Sequence, residues 1–340
     1  MRQPDFWKRD AVDSELRRVY DICSGCRRCL PLCPSFKVLF DRLDADPVDG
    51  DVEKLPAKDV KEVVDLCYQC KLCYNHCPYI PPHRWQVDFP RLMLRSRSAE
   101  ARAKGVTLQD RFLGNTELVG RLGSMTAPLS NWVSSLPPQR ALMQAVLGIH
   151  KDRQLPAFHR ETFSAWFDRR RRDIVVPGPT CSYMLKEEYP WLDGSEDADL
   201  VASHTRDLFE YLAGLHAAGR LDTRFPNAPA KVAYQLPCHL KAQNMGTKFA
   251  DLLRLTGVVV EIIERCSAVD GTWGMKKEYF ELSMKLAEPL FKDVREAGAT
   301  RVATDCPLAA LQIRQGTGLE ARHPIRILAE AYGLEEEPSP

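Results

Sequence analysis

Cys23-Ser-Gly-Cys26-Arg-Arg-Cys29-Leu-Pro-Leu-Cys33-Pro34 places four thiols at steps of three, three and four residues. Forty-four residues on, the pattern returns as Cys67-Tyr-Gln-Cys70-Lys-Leu-Cys73-Tyr-Asn-His-Cys77-Pro78. Both are C-x-x-C-x-x-C-x-x-x-C-P, the run that ligates cubane iron–sulfur clusters. Three thiolates at steps of three lie along one short turn-rich segment, and each can take one iron of a cube. The fourth iron needs a ligand from elsewhere, and the Cys-Pro of one run supplies it to the other cluster. The expectation is therefore one [4Fe–4S] cluster on Cys23, Cys26, Cys29 and Cys77, and a second on Cys67, Cys70, Cys73 and Cys33. Structural zinc is an alternative, but it uses two C-x-x-C pairs separated by a loop and has no use for a third close cysteine. Disulfides need an oxidising compartment, and the N-terminus does not resemble a signal peptide.

Four further cysteines each fall just past the carboxyl end of an expected strand. Their contexts are Ile-Val-Val-Pro-Gly-Pro-Thr-Cys181, Ala-Tyr-Gln-Leu-Pro-Cys238-His239, Glu-Ile-Ile-Glu-Arg-Cys266 and Val-Ala-Thr-Asp-Cys306-Pro307. In a parallel sheet those ends converge on one edge, the usual ligand crevice. Four thiols gathered there would hold another metal centre. Free cysteine is also a common buried small hydrophobe, but core cysteines would scatter between strand interiors and helices.

The elements that must position these residues fall into three parts. Residues 1–20, Phe36–Leu43 and Val60–Leu66 read as helices around the cysteine runs, with Leu16, Val19 and Tyr20 available for packing. Asp41 to Lys58, acidic and containing proline, reads as a loop. Intervening helices point away from the compact two-strand ferredoxin and toward an all-helical dicluster domain over residues 1–90. From Arg91 to Arg172 there are fifteen Lys/Arg against six Asp/Glu. Leu118, Leu122, Met125, Leu129, Trp132 and Leu136 recur there at steps of three and four, one apolar stripe that Pro128 must kink or split. A short helix over Gln139–Ile149 puts Leu142, Val146 and Ile149 on one side. Phe163, Trp166, Phe167 and the arginines Arg169 to Arg172 close the segment. An apolar face beside a basic excess suits an anionic membrane surface. A docked protein partner and an ordinary core helix are the alternatives, and His150 and His159 read as surface or packing residues.

From Asp173 strands and helices alternate. Strands are expected at Ile174–Val176, Lys231–Gln235, Val258–Ile263 and Arg301–Thr304. Helices are expected at Ala198–His216, Thr247–Thr256, Lys276–Ala297, Leu308–Gln315 and Pro324–Tyr332. Alternation of this kind implies a parallel sheet with right-handed crossovers over residues 173–334, followed by a disordered tail, 335–340. The fold class is thus α+β and multidomain: helical dicluster domain, basic amphipathic segment over 91–172, and a C-terminal α/β cysteine-rich domain.

Pro237-Cys238-His239, Arg265-Cys266, the stretch Asp270-Gly271-Thr272-Trp273-Gly274-Met275-Lys276-Lys277-Glu278 and Thr304-Asp305-Cys306-Pro307 resemble the cysteine-rich "CCG" domain. That domain occurs in heterodisulfide reductase subunits and in iron–sulfur subunits of glycolate, lactate and anaerobic glycerol-3-phosphate dehydrogenases. Cys181-Ser-Tyr-Met-Leu-Lys-Glu-Glu-Tyr-Pro190 and Leu113–Trp166 are similar to the iron–sulfur subunit family of the last of these. The family carries two tandem cysteine-rich halves. Here only the end of the first is present, because Arg172 runs straight into Ile174-Val-Val-Pro. The family's Cys-Cys-Gly is Cys266-Ser267-Ala268, and its closing C-x-x-C is Cys306-Pro-Leu-Ala309. Two thiols of the five-cysteine noncubane site that the resemblance implies are missing. Four single cysteines suit one ordinary cubane better, on Cys238, Cys266, Cys306 and Cys181, with zinc or an unused site as alternatives.

The resemblance implies an electron-transfer subunit working with a flavoprotein dehydrogenase of the glycerol-3-phosphate or 2-hydroxy-acid type, toward membrane quinone. The chain has no GxGxxG fingerprint and no evident organic-substrate site. Catalytic reduction of a disulfide at the C-terminal cysteines and a scaffolding role are the competing readings. A net charge of +1 gives no reason to expect nucleic acid. No apolar run approaches the roughly 18 residues that cross a bilayer. The expected location is the cytoplasm, peripheral on the inner face of the inner membrane where the basic segment meets lipid.

Overall fold

Apolar residues at helical period build the first half. In a computed structural model describing residues 5–155, 157–158, 173–227, 231–269 and 271–334, helix α1 (Arg9–Cys26) buries Val12, Leu16, Val19 and Tyr20 along one face. They pack against α2 (Pro34–Leu43), α3 (Ala57–Leu66) and α5 (Phe89–Lys104), with the short α4 (Leu72–His76) between the last two. Ser35 Oγ donates to Val63 O at 2.7 Å and ties α2 to α3 inside the core. Arg97 on α5 donates to Val64 O and Asp65 O at 2.6 and 3.0 Å, adding a charged donor to the carbonyls at the C-terminus of α3. The expected loop is a series of turns with one 3-10 turn, Val52–Lys54. α1 is longer than the sequence implied, so Cys23 and Cys26 ride on its last turn rather than in a turn-rich segment.

Pro128 splits the amphipathic stripe into Thr116–Met125 and Leu129–Ser135, followed by a helix over Pro137–Leu147. The stripe is not core. Leu118, Leu122, Met125, Leu129 and Trp132 are 52–71% exposed, while Leu136 is half-buried. Leu142 and Val146 are exposed too, but Ile149, expected on their side, turns inward and forms an antiparallel bridge with Lys276. His150 stacks on Phe280 at 3.9 Å, as a packing residue. The segment is pinned by Arg153, which is buried and bonded to Gln312 and to the carbonyl of Gly274. His159, Phe163, Trp166, Phe167 and Arg169 to Arg172 lie outside the described residues, as do Asp270 and the tail.

Among the described residues the strands of the second half pair in parallel, but in two sheets rather than one. β1 (Ile174–Val176) pairs with β2 (Thr205–Asp207). β3 (Lys231–Gln235), β4 (Val259–Ile263), β5 (Arg301–Ala303) and β6 (Ala321–Arg322) make a sheet of order β4-β3-β5-β6. β2 interrupts the helix expected over 198–216, leaving Glu196–His204 and Leu208–Ala217. The break has a local cause: Asp207 caps the second helix in a reciprocal capping box with Glu210. Alternation along β3 sends Val232 and Tyr234 into one core, with Phe249 and Leu253, and Ala233 into the other, with Phe291 and Ile313. Helices thus cover both faces, as all-parallel sheets require. β3 continues to β4 on one side and lies beside β5 on the other, so the sheet reverses its winding at β3, and ligand crevices open beyond strand ends at such a point.

Candidate metal centre

Three small cavities are lined by thiols. Cys23, Cys26, Cys29 and Cys77 surround one of ≈310 Å³, closed by Ile22, Phe36, Phe40 and Val87. Cys33, Cys67, Cys70 and Cys73 surround a second of ≈310 Å³, closed by Leu32, Phe36 and Phe89. In each, three thiols come from one run and the fourth is the Cys-Pro cysteine of the other. Backbone geometry produces this grouping. Arg27, at φ 52°, ends α1 and turns the chain so that Cys29 faces back toward Cys23 and Cys26. Cys33 then caps α2, with Pro34 at its first position. In the second run Gln69 and Lys71, at φ 61° and 63°, both take the left-handed conformation that L-residues avoid. Strain of this kind persists where the surroundings impose it, typically at functional sites.

The thiols of each group disturb one another. Burial pushes the Cys29 thiol up to about 11, with Cys77 and Cys26 adding to the shift. Burial pushes Cys33 up to about 12, reinforced by Cys67 and by Cys266 of the C-terminal half. Cys23 and Cys73 are raised by burial and then by the other members of their groups, and Cys73 also feels Cys29. A cation among these sulfurs would reverse that balance, since thiolates are the metal-binding form. Among the described residues, no three His, Cys, Asp or Glu side chains converge on a point that one metal ion could fill. Sulfurs set around a void suit a multi-atom group better than single zinc ions.

The third cavity, ≈370 Å³, lies beyond the carboxyl ends of β3, β4 and β5. It is lined by Cys238, Cys266 and Cys306, and Cys70 borders it from the second group. Cys181, expected as the fourth thiol here, is the exception. It is exposed and is not part of the lining; Thr180 is the residue of its segment that reaches the cavity. Cys181 follows β1, which belongs to the other sheet, and lies in the short helix Pro179–Tyr183. Ser267 and Ala309, standing where the resembling domain has cysteines, both line this cavity. Its sulfurs meet polar groups. Ala268 N–H donates to Cys266 Sγ at 3.3 Å, and Tyr68 Oη lies 3.7 Å from the same sulfur. In the other groups Gln69 Nε2 donates to Cys67 Sγ and Tyr79 N–H to Cys77 Sγ, each at 3.4 Å.

Sequence reasoning missed what joins the halves. Lys71, between Cys70 and Cys73, forms an ion pair with Glu188 at 2.7 Å, both side chains almost fully buried. Trp273 packs on Tyr68 at 5.0 Å and its Nε1–H donates to Asp65 O at 3.2 Å. Gly274, next to it, lies so close to Val269 that a Cβ would sit 2.9 Å from its Cα. A cleft of ≈2050 Å³ runs between the halves beside these residues, although no organic-substrate site was expected. A lysine between two cluster cysteines was a visible signal; Glu188 offered none.

Residues 16–103 match the family described as the citrate utilization protein B Fer4-like domain, and residues 232–314 match the cysteine-rich domain family. The chain is similar to the anaerobic glycerol-3-phosphate dehydrogenase C subunit from Escherichia coli K12, at 26% identity over 321 residues, taking in 68% of this chain and 80% of the relative. The counterpart from Escherichia coli O157:H7 gives the same figures. The aligned length exceeds the share of this chain it includes, so part of the relative has no counterpart here. No solved structure matches. The chain joins a Fer4-like domain to a cysteine-rich domain, and both indicate iron–sulfur clusters.

Proposed function

We propose that this chain is the iron–sulfur electron-transfer subunit of a flavoprotein dehydrogenase of the glycerol-3-phosphate or 2-hydroxy-acid type, delivering electrons toward membrane quinone. The observation that carries this reading is the crossed grouping of the eight N-terminal cysteines around two thiol-lined cavities. In this reading Cys23, Cys26, Cys29 and Cys77 hold one [4Fe–4S] cluster, and Cys67, Cys70, Cys73 and Cys33 hold another. Cys238, Cys266 and Cys306 hold a third. Such clusters supply one-electron transfer. The rest is work for the chain's own groups. Phe36, Phe40, Val87 and Phe89 keep water from the sulfurs, and the N–H groups of Gln69, Tyr79 and Ala268 stabilise negative charge on them. Residues 1–90 and 173–334 are then the cluster-bearing domains.

The intervening 91–172 is the docking segment, and its exposed stripe supports contact with an anionic bilayer. The similarity to a dehydrogenase subunit supports the flavoprotein partner. Ser267 and Ala309 in the cavity wall weigh against disulfide reduction at the third site, because the extra thiols would have to stand there. The test is anaerobic: the reconstituted chain is mixed with its reduced flavoprotein partner and read by EPR. Reduced cluster signals within the turnover time of the dehydrogenase are the expected result. Clusters that stay oxidised while the partner's flavin is reduced would overturn the reading.

A further inference from the structure

The cleft between the halves lies outside the thiol-lined cavities. About 930 Å³ of it is accessible to water, the size of an organic-ligand site. One wall is aromatic: Tyr68 packs on Trp273, and Trp273 stacks on Tyr279 at 4.7 Å with their planes 11° apart. At the floor lie Lys71 and Glu188, 6% and 3% exposed. Glu188 Oε2 is buried and has no hydrogen-bond partner. Lys71 Nζ donates to Gln69 Oε1 and Glu188 Oε1, and an ammonium has three N–H groups. The floor therefore offers one Lys71 N–H with no oxygen partner, its Nζ 5.7 Å from the centre of the Tyr183 ring, beside one unused acceptor. The cations of the walls are committed, Lys61 to Asp65 and Glu100, Lys104 to Glu100, Lys276 to Asp110, and Arg97 to the carbonyls of Val64 and Asp65. An anionic ligand gains little from such a lining.

A flat, uncharged ring whose oxygen accepts a hydrogen bond in one redox state and donates one in the other fits all of these features. We propose that the cleft binds a quinone headgroup, with its ring against Tyr68, Trp273 and Tyr279 and one oxygen at the Lys71–Glu188 pair. A carbonyl oxygen takes the Lys71 N–H, and the hydroxyl of the quinol gives its hydrogen to Glu188 Oε2. Tyr68 also reaches Cys266, and Tyr68 and Lys71 line the Cys33/Cys67/Cys70/Cys73 cavity, so the ring would lie beside two thiol groups. Val106, 57% exposed, lines the mouth, and Leu108, on the next helix, is 79% exposed; an apolar tail would leave by that rim. Conversion to the quinol takes two electrons, originating in the reduced flavin of the dehydrogenase partner, and two protons from water at the mouth. Each C=O becomes C–OH, and no other bond breaks. The assignment rests on the electron-transfer reading above, but it is tested separately.

The oxidised, cluster-loaded full chain is titrated anaerobically with 1,4-naphthoquinone, and separately with 1,4-dihydroxynaphthalene, by calorimetry. Tyr279→Leu should weaken both about tenfold by removing the stacking face. Glu188→Gln should weaken the quinol about tenfold more than the quinone, since the charged acceptor is lost while shape is kept. A purely structural role for Glu188 would weaken both alike, and that result overturns the placement of the oxygen. Naphthoquinone failing to bind at millimolar concentration, to protein whose clusters accept electrons from the flavoprotein, overturns the cleft assignment alone. Clusters that refuse electrons overturn the electron-transfer reading, whatever binds in the cleft.

Discussion

Replacing Cys181, Cys266 or Cys306 by serine separates two readings of the C-terminal thiols. The structure puts Cys266 and Cys306 on one cavity of ≈370 Å³ with Cys238, and leaves Cys181 exposed outside it. Four-ligand zinc sites are worth about 10–16 kcal/mol, so on that scale one thiolate carries about 3–4 kcal/mol, or about 10²–10³ in affinity. A site with three protein thiols has no ligand to spare, and losing one should empty it. Anaerobically reconstituted protein should hold about twelve irons per chain, as three cubanes, and Cys266→Ser or Cys306→Ser about eight, with the N-terminal EPR signals intact. Cys181→Ser should keep about twelve irons and change stability by no more than about 0.5 kcal/mol, as an exposed substitution does. A loss of about four irons on Cys181→Ser would refute the argument from strand pairing. A parent protein that stops at about eight irons, matched by Cys266→Ser, would refute the third cluster itself.

Cys29→Ser and Cys77→Ser, in different runs, should abolish the same EPR signal, and Cys33→Ser should abolish the other; two different signals lost from the first pair would undo the crossed assignment. Vesicles rich in anionic lipid should bind the chain less well as salt rises, because the arginine contribution is screened. Trp132→Ser should weaken that binding about tenfold, and Leu136, being half-buried, is a poorer probe. Indifference to both changes would favour a protein partner on that face. Glu188→Leu strands the Lys71 ammonium in the interior and should cost about 3–5 kcal/mol in denaturant unfolding, whereas Lys71→Met with Glu188→Leu should recover most of it. A single variant costing under about 1 kcal/mol would show that the pair is solvated.

Among the described residues, α1, α2, α3 and four of the six strands could be read from local pattern because each is set within one short run, whereas α5 was not expected and the crossed grouping of the cysteines was legible only from the repeat of the motif. Strand partners could not. Thr205-Arg206-Asp207 sits inside a stretch with helical character, and nothing local shows that it pairs with Ile174–Val176. That hidden pairing places β1 outside the main sheet, and Cys181, unlike its neighbour Thr180, does not line the crevice. The cleft was illegible for a similar reason. Tyr68, Val106, Thr180, His239 and Trp273 come from five separate stretches, and only the packing of the two halves brings them to one cleft. The apolar stripe was visible as periodicity, but period alone does not distinguish a buried face from one turned to solvent.

The three cavities form a sequence in space that the chain order conceals. Phe36 lines both the first and the second cavity, which places the first group beside the second. Cys266 acts on Cys33, and Cys70 borders the third cavity, which places the second group beside the third. The middle group is thus the one on which both crossings depend. Its own run supplies Tyr68 and Lys71, and these make the contacts with Trp273, Cys266 and Glu188 that hold the cysteine-rich half in place. The contacts that dock the halves are therefore the contacts that bring the second and third thiol groups together. A substitution that loosens docking should slow electron passage to the third site even when every cysteine is intact.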